Sequence, residues 1–197
     1  MAAILQSLGR TVIAGIVVLI VLIILAGVGT GQMVSVNMDW SRFFMRWLHV
    51  LSGVMWIGLL WYFNFVQMPS MPKIPDEQKP AISKVIAPEA LFWFRWAALA
   101  TVVTGALLAT MNGYILRALS LQPGVHAIGI GMWIALVMAF NVWFIIWPMQ
   151  QKALGMVTVT PEEKAAAARK AMLTSRLNTM LSIPMLYCMV AQQNGGL

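Results

Sequence analysis

Charge is scarce in this 197-residue chain: 10% of its residues are Asp, Glu, Lys or Arg, while 60% are hydrophobic. Soluble domains carry about 25% charged residues, so an ordinary water-facing surface is excluded. Acids are the rarest, six in all, and none falls in the middle of an apolar run. That leaves no carboxylate pair for acid–base chemistry. One cysteine, Cys188, excludes an intrachain disulfide and any cysteine-ligated zinc or iron–sulfur cluster. It lies in an apolar stretch and reads as a small core residue. The absence of C-x-x-C-H excludes covalently attached c-type haem. No phosphate-binding glycine loop and no catalytic triad pattern occurs. Histidines number two, His49 and His126.

What is present is long apolar runs. Five of them, at residues 11–28, 43–66, 91–111, 125–147 and 177–191, are candidate membrane spans. They predict an all-α, polytopic integral membrane helical bundle of about five transmembrane helices, with residues 1–197 forming a single membrane domain. The first run follows Arg10 but is longer than a signal-peptide core and lacks a small-residue cleavage site, so it reads as a retained helix. The formal charge of +7 is scattered between the runs and reads as topology rather than as a nucleic-acid surface. With the N-terminus inside, ten Lys and Arg (Arg10, Lys73, Lys79, Lys84, Arg95, Lys152, Lys164, Arg169, Lys170, Arg176) face the cytoplasm and three (Arg42, Arg46, Arg117) face outward. That orientation satisfies the positive-inside rule, and the reverse violates it. A multi-pass protein of a bacterial inner membrane is the expectation.

Two inner-face segments, 67–90 and 148–176, join the spans. The first holds Pro69, Pro72, Pro75, Pro80 and Pro88, too many for one continuous helix. It is expected to run along the membrane surface, with Pro88 opening the third span. In the second, Thr160-Pro161-Glu162-Glu163 is a capping box with proline at the first helical position. The helix it opens either stops or continues into the short fifth span, where Pro184 predicts a kink or partial crossing.

Chemistry points to the histidines. An ionisable residue inside a membrane is a functional candidate because its burial is costly. In the expected topology both histidines lie near the outer ends of their spans, His49 roughly 9 Å deep and His126 roughly 2–3 Å, at a rise of 1.5 Å per residue. Gly53 stands four residues after His49 on the same face, where it would let a flat macrocycle approach the backbone. Arg46, three residues before, is placed to meet a haem propionate, and Trp56 follows. These residues read as a haem b wall, with His49 and His126 as the metal-ligand candidates. Gly129 and Gly131 offer His126 a comparable face. The bland alternative is a neutral histidine bonding a neighbouring helix, with the glycines serving close helix packing. On that reading the protein binds no cofactor. Asn64, Asn141, Asn178 and Thr179 are expected to make interhelical hydrogen bonds, and Arg95 to snorkel or pair with Glu89. The sixteen methionines are too dispersed for a copper site.

The stretch from Arg46 through His49, Gly53, Trp56 and Gly58 to Tyr62-Phe63-Asn64-Phe65 resembles the membrane domain at the N-terminus of the PuuD-type urate oxidases. So does Ser175-Arg176-Leu177-Asn178-Thr179-Met180-Leu181-Ser182-Ile183-Pro184-Met185-Leu186. The first stretch has a looser likeness to copper-resistance D and HemJ-type membrane proteins. The resemblance implies a redox-cofactor ligand at His49, with Gly53, Trp56, Asn64 and Asn178 as framework. The cytochrome c domain of the full urate oxidases has no counterpart in this sequence. Three functions follow as expectations. The first is a haem b protein transferring electrons near the periplasmic face, fed by a quinone, a cytochrome or another redox partner. The second is a non-catalytic accessory subunit of a larger membrane redox or photosynthetic complex. The third, from family likeness alone, is a small membrane oxidase.

Overall fold

Wherever the chain is apolar its backbone must satisfy its own hydrogen bonds, and it does so as helix: among the described residues, 2–196 of this computed structural model, there is no strand. After one helical turn, Ala2–Leu5, the regular elements are α1 (Leu8–Thr30), α2 (Met38–Lys73), α3 (Lys79–Met111), α4 (Ile115–Leu119), α5 (His126–Ala153) and α6 (Pro161–Asn194). Four of them, α1, α2, α3 and α5, are long and apolar enough to cross a membrane. The protein is therefore an all-α helical membrane protein. The fifth expected span, 177–191, is the C-terminal half of α6. Asn178, Thr179 and Ser182, with Gln192 and Gln193 just beyond, dilute its hydropathy, and the helix continues past Pro184.

The backbone divides into two compact units, Met1–Phe43 and Phe44–Leu197. In the first, nearly every side chain of α1 is exposed, Gly27 alone being buried. The helix ends at Gly31, whose φ of 68° is the left-handed conformation that glycine adopts without strain. Asn37 then caps α2, its side-chain oxygen accepting the Trp40 N–H at 2.9 Å.

The second unit holds the core. Trp56, Leu60 and Phe63 of α2 pack with Phe94 and Ala98 of α3, Met138 and Val142 of α5, and Met185 of α6. The Phe63 and Phe94 rings meet edge to face at 5.8 Å. Between α2, α5 and α6 the packing is polar as well as apolar. Asn141 Nδ2 donates to Asn178 Oδ1 at 2.8 Å, and Asn178 Nδ2 donates to the Met138 carbonyl at 2.9 Å. Asn64 reaches Ser175 at 2.8 Å, and Trp61 reaches Ser182 at 3.0 Å. Three of the four expected interhelical residues thus bond across helices. Thr179 does not, because its hydroxyl turns back to the Ser175 carbonyl of its own helix at 3.1 Å.

The segment 67–90, expected not to form one continuous helix, is interrupted once. Only 74–78 leaves the helix, and it joins α2 to α3 as a tight turn. Pro69, Pro88 and Pro148 each follow a widened π-helical segment, at Tyr62–Gln67, Ile82–Ile86 and Asn141–Ile146. The residue before each proline donates five residues back: Met68 to Phe63, Ala87 to Ile82 and Trp147 to Val142. Widening the turn eases the clash of the ring with the preceding turn, and the residue before the proline then bonds one carbonyl further back than an α-helix would use. Phe63, Gln67, Ala87 and Ile146, from or beside all three wide turns, line one cavity of ≈ 50 Å³ together with Ser175 and Gln150. Its lining is mainly apolar, and Gln67, whose Oε1 has no partner among the described residues, Gln150 and Ser175 supply the polar groups that an ordered water needs.

The capping box at α6 is formed as expected. Thr160 Oγ1 accepts from the Glu163 N–H at 3.2 Å, and Glu163 Oε2 accepts from the Thr160 N–H at 3.4 Å. At the other end Gln192 serves α5: its Oε1 accepts the Ile128 N–H at 3.2 Å, an N-terminal donor with no partner inside its own helix.

Replacing Asn141 and Asn178 by leucine, singly and together, tests the buried pair. Each single change strands its partner. The double-mutant cycle in detergent unfolding is expected to give a coupling of about 0.6 kcal/mol and no more than about 1.7 kcal/mol.

Candidate functional site: the His49 slot on α3

His49 sits three turns into α2 and is half-buried against α3. Its Nδ1 lies 2.9 Å from the Thr101 carbonyl and 3.3 Å from Thr104 Oγ1. A carbonyl oxygen only accepts. The Thr104 hydroxyl already donates to the Ala100 carbonyl at 2.6 Å, so its oxygen also presents a lone pair. The proton of the neutral ring therefore belongs on Nδ1, which leaves the Nε2 lone pair without a hydrogen-bond partner among the described residues. Two hydroxyl residues four and one positions before Gly105 thus set the tautomer of a histidine on another helix.

The glycine that admits the ring is Gly105. A Cβ built there would stand 2.8 Å from His49 Cε1 and 3.1 Å from Nδ1, closer than real side chains come. Gly53, expected to clear a face beside His49, instead looks toward Thr101, with ordinary contact at 3.9 Å from its methyl group. The face shared by His49 and Gly53 is therefore turned toward α3. A run of hydroxyls and one glycine, Thr101-Val102-Val103-Thr104-Gly105, is the signal that sequence reading passed over: residues at i, i+3 and i+4 share one helical face.

Arg46 is exposed one turn outward, and its charge acts on Tyr114 in the turn between α3 and α4. Burial pushes the Tyr114 phenol above its ordinary pKa, and Arg46 pulls the other way. Trp56 lies deeper, fully buried in the core with its indole N–H unpartnered. His126 is exposed as the first residue of α5 and has no hydrogen bond among the described residues. The glycines expected to give it a flat face are covered. A Cβ on Gly129 would collide with the Ala118 carbonyl of α4, and one on Gly131 would lie 3.0 Å from Cys188 Cβ of α6. Cys188 is buried, as its apolar neighbours predict.

Among the described residues no three His, Cys, Asp or Glu side chains gather as they would for a bare metal ion. Zinc-type sites need three or four protein ligands. A haem iron, already held by four porphyrin nitrogens, needs only one or two. His49 offers one such donor through Nε2.

Fold and composition define a helical membrane protein. Within that class, residues 114–195 match the family model described as urate oxidase N-terminal, which supports the urate oxidase N-terminal family. The match takes in α4, α5 and α6, with His126, Asn141 and Asn178, and stops short of the helices that carry His49 and its slot. No curated protein and no solved structure matches the chain.

Gly105→Ala and Gly53→Ala separate the two glycines. The first is expected to lower stability by about 1–3 kcal/mol through overpacking against His49, and the second by less than about 0.5 kcal/mol. Thermal unfolding of the two variants in detergent measures the difference.

Proposed function

We propose that this is a membrane haem-binding protein in which His49 supplies an axial ligand through Nε2. The observation that carries the reading is the fixed tautomer. A ligating histidine characteristically donates its other ring N–H to a carbonyl or carboxylate, which orients the ring and raises its basicity. His49 does this to Thr101 at 2.9 Å. The exposed Arg46 lies one turn toward the helix start, where a guanidinium suits a propionate. A haem held there would supply one-electron chemistry, with an open iron position if His49 ligates alone and none if a second histidine such as His126 joins it. The residues of this chain hold the ring, fix its proton on Nδ1 and keep its Nε2 lone pair available. Electrons would come from a quinone or a redox partner, and the charge count favours a bacterial inner membrane with the N-terminus inside. Oxidation of urate or a porphyrin by this chain rests on family likeness alone.

A second reading is an accessory membrane subunit in which His49 only ties α2 to α3. The close fit of its ring to Gly105 favours it.

The reduced-minus-oxidised spectrum of the purified protein, recorded beside His49→Ala, decides between them. Soret and α bands in the native protein that are lost in the variant and return with added imidazole are the expected result. A native protein without bands, isolated with stoichiometric large subunits, would establish the accessory reading. Bands that survive His49→Ala would remove the ligand assignment.

A further inference from the structure

Arg95 of α3 has no acidic partner. The ion pairs among the described residues are Arg42–Asp39 and Lys79–Asp76. The carboxylate expected for it, Glu89, instead accepts the Trp93 indole N–H at 3.0 Å. Arg95 lies among indoles: its Cζ is 3.9 Å from the ring centre of Trp147, 5.2 Å from Trp143 and 5.8 Å from Trp96. Trp96 and Trp143 meet edge to face at 5.4 Å. Indole faces attract the guanidinium and hold its plane, yet they accept no hydrogen bond in the plane of its N–H groups. Arg95 Nε and Trp143 Nε1 are both enclosed and without an acceptor. Arg95 itself is half-buried and makes no hydrogen bond among the described residues, so its terminal nitrogens are the donors that remain open to a ligand.

A permanent cation in a membrane helix is costly unless something answers its charge. None of the described residues supplies an anion here. The surroundings indicate where one comes from. Trp93 and Trp96 are 49% and 45% exposed beside Arg95, and indoles of this kind concentrate at the level of lipid headgroups. A planar guanidinium offers two parallel N–H donors that match a phosphate. We propose that Arg95, framed by Trp96, Trp143 and Trp147, binds the phosphate of an anionic phospholipid where α3 meets α5. The lipid would complete the charge balance of the bundle at that level and tie the two helices together.

The test is thermal unfolding of the whole chain in mild detergent with added phosphatidylglycerol, phosphatidylcholine or inorganic phosphate. Native protein is compared with Arg95→Gln, Arg95→Lys and the surface-charge control Arg169→Gln. Phosphatidylglycerol is expected to raise the midpoint of the native protein and the control alike, and phosphatidylcholine to raise it less. Arg95→Lys keeps the charge and loses the fork, so the lipid concentration needed is expected to rise roughly fivefold or more. Arg95→Gln, if it folds, loses the shift, and Arg95→Lys carries the test if it does not. No shift in the native protein, or equal shifts in native and Arg95 variants, would overturn the site. An equal response to inorganic phosphate would overturn the lipid as its source.

Discussion

Every long helix of this protein answers to one constraint: in hydrocarbon, each backbone N–H and C=O must find its partner within the protein. Helix formation meets most of the demand, and proline is where it fails. The three wide turns before Pro69, Pro88 and Pro148 are the local answer, since each hands a carbonyl to the donor five residues on. They let α2, α3 and α5 keep their length where a strict α-helix would break. Residues from or just beside all three border the same small cavity.

Side-chain polarity follows the same logic. With no water to compete, an amide buried between helices must be answered by another, and Asn141, Asn178 and the Met138 carbonyl form such a closed set. His49 obeys the rule on one nitrogen and leaves the other free. The difference between those two cases separates a structural contact from a candidate for chemistry. Arg95 is the opposite exception, a charge with donors left over. Both exceptions lie at helix–helix contacts that α3 makes, so α3 frames both candidate sites.

Much of this was legible in the residues. The apolar runs marked α1, α2, α3 and α5 because length and hydropathy are local properties, and Thr160 to Glu163 announced the start of α6 for the same reason. The polar partners Asn64, Asn141 and Asn178 stood out as amides in apolar stretches. Other features depend on what lies opposite. Gly53 and Gly105 look alike in sequence, and only the position of the His49 ring distinguishes them. Gly129 gave no hint that the Ala118 carbonyl covers it. Pro69 read as a breaker and Pro88 as the opening of a span, because the rule for proline assumes that the helix cannot change its pitch. Pro184 read as a kink or a partial crossing, and the helix continues past it.

The wide turns have a further effect that concerns aim rather than stability. A π-helical segment amounts to one residue inserted into an α-helix, and one residue is about 100° of rotation at 3.6 residues per turn. In α2 everything past Gln67 is therefore turned by roughly that angle relative to the face set by His49 and Trp56. In α5 the part beyond Ile146 is turned in the same way relative to Met138. The two ends of each helix are thus set independently, so that removing one residue within 62–67 would re-aim Met68 and its neighbours while leaving the histidine where it is.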